Sequence, residues 1–128
     1  MKALTVKDTA KVTPEFAAAF GAFAVAAEAI IAKYDSQYDH IVGSTITGKV
    51  GPSMVKVIKM TVEKHSSMNG DRFSTEERVY CYVDRTTGAI YKAAGRHGVQ
   101  DKRERGNIFS DQNGAEGVTW FGAKYVGE

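Results

Sequence analysis

The sequence predicts an α+β domain: one long N-terminal helix packed on an antiparallel meander of three to five strands. Three observations carry this. An alanine-rich stretch without internal proline follows Thr13-Pro14-Glu15. Short segments of alternating polarity run from Met54 to Lys92, and a tight-turn signature, Asp84-Arg85-Thr86-Thr87-Gly88, joins two of them. At 128 residues the chain suits one domain. Residues 1–12 read as a flexible arm, 13–39 as the helix, and 40–128 as sheet and loops.

The helix has a physically sensible start. The Thr13 hydroxyl is placed to accept from an orphan backbone N–H, Pro14 has no N–H to leave unpaired, and Glu15 faces the positive end of the dipole. Alanine, the best helix former, then dominates. Phe16, Phe20, Phe23, Ala27, Ile30 and Tyr34 are spaced 4, 3, 4, 3, 4 and form one apolar seam. That seam is expected to cover the sheet. Ala18, Ala22, Val25, Ala26 and Ala29 occupy other faces. They are either partly exposed small residues or a second face buried against another copy of the chain.

Beyond the helix, "SQYDHIVGSTITGKVGPS" reads as an irregular connection with at most a short extended piece. "MVKVIKMTVEK" alternates as a strand, with Ile58, Met60 and Val62 on one face. "HSSMNGDRFST" reads as a loop tip around Asn69-Gly70. In "EERVYCYVD" Val79, Cys81 and Val83 point one way, Tyr80 and Tyr82 the other. Asp84 and Gly88 then turn the chain into the strand "AIYKAA", and "GNIF" and "GVTWFGAKYV" are candidates for further short strands. A helix followed by five strands is also the element order of Sm-like domains, so the meander can curl into a small open barrel. That likeness transfers no function.

Composition narrows the function classes. Seventeen Lys and Arg against fifteen Asp and Glu give a net charge of +2, so attraction to a polyanion must come from local clustering. One cysteine, Cys81, excludes an internal disulfide and a cysteine-based zinc site. His40, His65 and His97 stand far apart, none at metal-ligand spacing from another. Glu76 and Glu77 alternate faces on a strand and cannot act together on one substrate. No phosphate-binding glycine loop is present. A non-enzymatic protein without metal or cofactor is the expectation. The apolar stretch near the start is broken by Glu28 and is read neither as a membrane span nor, given Asp8 and Glu15, as a signal peptide.

The densest positive cluster follows the hairpin: Lys92, Arg96, Lys102, Arg103 and Arg105. Beside it stand Tyr80, Tyr82 and, depending on register, Tyr91. Rings that stack bases beside cations that neutralise phosphates are the equipment of single-strand binding. Single-stranded nucleic acid is therefore the first expected partner, with these eight residues as its site. The rival is a structural or assembly protein that forms a homo-oligomer through Ala18, Ala22, Val25, Ala26 and Ala29.

One resemblance fits both readings equally. "VYCYVDRTTGAIYKAAG", then "RGNIF", then "WFGAKYV" is similar to segments of small proteins of tailed bacteriophages. The matching positions are Val83, Asp84, Thr87, Gly88, Ile90, Lys92, Ala93, Ala94, Arg105, Gly106 and Asn107. Between Ala94 and Arg105 the chain departs from the pattern, and the alanine-rich helix lies outside it. The resemblance implies a virus-encoded protein made in the host cytoplasm and acting there or in the virion. It implies no reaction.

Overall fold

A computed structural model describes residues 3–95 and 98–125. Helix α1 spans Val6–Thr9 and α2 spans Pro14–Asp35. Five strands follow: β1 Ile41–Val50, β2 Met54–Ser67, β3 Gly70–Asp84, β4 Ala89–Tyr91 and β5 Gly106–Asn107. They pair antiparallel in chain order as one curled half-barrel, and α2 lies across it. The helix-plus-meander architecture is thus the observed one.

The predicted helix start forms as expected: Thr13 Oγ1 accepts the Phe16 N–H at 3.1 Å, and Pro14 opens the first turn. The helix ends at Asp35, four residues before the expected limit. Phe16, Phe20, Phe23 and Ala27 are buried, but the seam then passes to Ile31 and leaves Ile30 and Tyr34 half-buried. A straight helix repeats every 3.6 residues, so a seam of period 3.5 drifts by about 20° per heptad and shifts by one residue over this length.

Several expectations are corrected. Within the arm read at 1–12, residues 3 and 4 are anchored and α1 forms: Leu4 is 5% exposed within the core, and the Ala3 carbonyl accepts the Gly48 N–H at 2.9 Å, while most of residues 5–11 stay exposed. The supposed irregular connection is the ten-residue strand β1. Its inward alternation runs Ile46, Gly48, Val50, and the missing side chain at Gly48 disguises it. Phe20 and Val55 fill that space, lying 2.7 and 2.8 Å from where a Cβ would be. Thirdly, Val118–Tyr125 adds no strand; a single bridge joins Val118 and Ala123.

The loop read at 65–75 is a continuation of β2 and β3, paired up to Ser67 and Gly70. β1 reaches only as far as Glu63. The β2–β3 ribbon therefore projects past the sheet, exposed from Lys64 to Arg78, with Met68 and Phe73 open to solvent.

Candidate functional site

Tyr80 is the extra residue of a bulge: Val57 faces Cys81, whereas Ile58 faces Val79. An extra residue breaks the strict alternation of faces. Tyr80 thereby enters the core at 2% exposure, and its hydroxyl donates to the Thr119 carbonyl. Burial pushes its phenol pKa far up. Tyr82 is 8% exposed, and its hydroxyl accepts the Gly98 N–H at 3.0 Å. Tyr91 lies opposite Tyr82 and stays partly exposed. The expected open platform of Tyr80, Tyr82 and Tyr91 is therefore not formed, because the bulge turns Tyr80 inward against Thr119 and Tyr82 is buried with its hydroxyl against Gly98.

The basic residues meet a related fate. Lys92 is 7% exposed; its Nζ donates to the Ala123 carbonyl at 2.9 Å and lies 3.8 Å from the centre of the Tyr125 ring. Arg105 forks onto Asp101, with Nη1–Oδ1 at 2.8 Å and Nη2–Oδ2 at 3.2 Å, while its Nε donates to the Lys124 carbonyl at 2.9 Å. That side chain is 4% exposed. Its grip, with the Arg103 backbone N–H, holds the Asp101 carboxyl below its usual pKa. Lys102 and Arg103 stay exposed, Arg103 at 3.6 Å from Asp101. Arg96 lies outside the described residues. Lys92 and Arg105 are thus buried and engaged within the fold rather than open to solvent.

A third cation is engaged in the same way. Lys59 Nζ donates to the Trp120 carbonyl at 3.0 Å. Burial lowers its pKa, with the Asp35 carboxylate opposing the shift. Lys59, Lys92 and Arg105 thus each bind one carbonyl of the segment Trp120–Lys124. Buried cations require such partners, and charge-assisted bonds are stronger than neutral ones. Tyr34 fastens the same segment by stacking on Trp120, centroids 3.8 Å apart and 1° from parallel. None of this was legible in the sequence, because the partner atoms are backbone carbonyls.

The oligomer candidates fare differently. Ala18 and Ala29 are exposed, Val25 is 68% exposed, and Ala22 and Ala26 are half-buried. Between Glu15 and Lys33 the helix carries one charge, Glu28, and that turns inward: its Oε2 accepts the Ile46 N–H at 2.8 Å. The outward face is left apolar and chargeless over four turns. Beside it a groove of about 600 Å³ runs between α2, the N-terminal arm and β1, with Gly21, Ala18 and Val25 in its wall. By length and composition α2 is also long and apolar enough to cross a bilayer.

Catalytic equipment is thin. Cys81 is fully buried and its thiol is pushed far up by desolvation, which makes it a poor nucleophile. His65 is engaged by Ser74 across the ribbon at 2.9 Å. No group of three metal-ligating side chains occurs among the described residues. No family model, curated protein or solved structure matches the chain.

Proposed function

We propose that the protein is a non-enzymatic structural or assembly component, of a virion or its assembly apparatus, that forms a homo-oligomer through the outward face of α2. The observation that carries this is the chargeless surface of Ala18, Ala22, Val25, Ala26 and Ala29, whose one nearby carboxylate is spent on the β1 backbone. Small side chains allow a second backbone to approach closely, and an apolar helix face left in water is unfavourable. The resemblance of the segment 83–107 to tailed-phage proteins agrees with an assembly role.

Light scattering on the purified chain tests it, and a discrete oligomer is expected. Val25→Glu places a charge at the centre of the face and should yield monomer. Its cost to the fold should stay within about 0.5 kcal/mol, since the position is on the surface. A wild-type monomer at all accessible concentrations overturns the proposal. So does co-sedimentation with liposomes in place of a defined oligomer, which would assign the face to a bilayer.

A further inference from the structure

The sheet has a second charged feature, on the side away from α2. Gly48 and Val50 point at the helix side, so Lys49 between them points to the opposite face. Its register partner there is Lys56 on β2. Facing residues of an antiparallel pair have Cβ atoms about 5 Å apart, and like charges so placed are destabilising. Among the described residues no carboxylate lies within ion-pair distance of either lysine, whereas Lys64 on the ribbon pairs with Asp71 at 3.3 Å. Lysine on an edge strand deters stray strand pairing, which accounts for Lys49. It does not account for Lys56, whose strand lies between β1 and β3.

The two lysines line one end of a groove of about 910 Å³. Ile58 and Val79 also line it, and Phe121, 50% exposed, stands in its wall. Glu76, paired with Arg78, and Glu77 also line it, Glu77 opposite Met60 and so four residues along β2 from Lys56. We propose that this groove binds a single-stranded polynucleotide, with Lys49 and Lys56 on its phosphates and the Phe121 ring against a base. A phosphodiester would relieve the lysine–lysine repulsion that the fold leaves uncompensated. The adjacent ring supplies the stacking surface that sequence-tolerant strand binding uses. Lys49, Lys56 and Phe121 are not among the eight residues expected from the sequence, although Lys56 faces Tyr82 across β2 and β3 and the hairpin residues Val79 and Ala93 line the groove; the site does not depend on self-association through α2.

The test is a titration of fluorescently labelled oligothymidylate at low salt, read by anisotropy. Two neutralised phosphates predict that log K falls with log salt at a slope of about −1.4. Lys49→Ala/Lys56→Ala should abolish binding, and Phe121→Ala should weaken it about tenfold. Lys64→Ala should leave it unchanged, and Glu77→Gln should tighten it. The double variant removes a repulsion, so its circular dichroism and melting should match or exceed the parent's. Val25→Glu should still bind, which separates failure here from failure of the assembly proposal. No binding at about 50 mM salt, the low end of the range where such contacts are strong, overturns the proposal. So does binding that the double variant retains, or inorganic phosphate competing as well as the strand does.

Discussion

Single residues decide how closely α2 can lie on the sheet. Gly48 is the clearest case: a methyl group there would meet Phe20, Val55 and Leu4 within 3.0 Å, and all three are buried core residues. Gly48→Ala is expected to cost about 1–3 kcal/mol, read as a lower urea midpoint at unchanged slope. Glu116 sets a pH dependence in the same way. Partial burial raises its pKa, but the Ser110 hydroxyl and the Asn107 and Gly114 backbone N–H groups outweigh that, so its carboxyl lies below the usual value of 4.5. Asp84 is likewise held below 3.8, chiefly by the Thr87 and Thr86 backbone N–H groups. A lowered folded pKa means that the unfolded chain binds more protons in the window between the two values. The stabilisation is therefore complete above about pH 5 and is lost as pH falls through the folded pKa values. Urea melts from pH 7 to pH 3 should show this decline, and Glu116→Gln should flatten it.

At the scale of elements, the C-terminal segment behaves as a strap. It has almost no secondary structure of its own, yet Lys59, Lys92 and Arg105 bind successive parts of its backbone. Arg105→Ala removes the bidentate bond to Asp101 as well as the Lys124 contact. Hydrogen bonds to charged groups are worth about 1.5–3 kcal/mol, so a loss near 2 kcal/mol is expected. The emission of Trp120, the one tryptophan, should shift to the red as the strap loosens. Legibility differed between elements for physical reasons. The α2 cap, the phenylalanine seam and the Asp84–Gly88 turn were readable because each depends on residues within a few positions. Asp84 Oδ1 does accept the Thr86 and Thr87 N–H groups at 2.8 and 2.9 Å, and Gly88 does take φ 79°. β1 was missed because its inward positions include a glycine whose volume comes from a distant helix. The tyrosine site was misread because a bulge set by pairing with β2 turned Tyr80 inward. The lysine pair was invisible for the same reason, since only register sets Lys49 beside Lys56.

The whole molecule shows more surface than its mass requires. A compact 13.9 kDa monomer should expose about 6,700 Å² by the usual scaling, and this chain exposes 7786 Å². Two features stand open among the described residues: a ribbon exposed on both faces, with Met68 at its tip, and the apolar outer face of α2. A two-stranded ribbon is marginal in water by itself. If association covers these surfaces, folding and assembly are coupled by mass action. A tenfold rise in protein concentration then adds about 1.4 kcal/mol to a dimer. Spread over the unfolding entropy of two chains, this amounts to a rise of about 3 °C in Tm. Scanning calorimetry at two concentrations should show the rise for the parent protein and its absence for Val25→Glu. A parent Tm that does not move with concentration would mean that both surfaces stay exposed in solution, and that whatever covers them is another molecule.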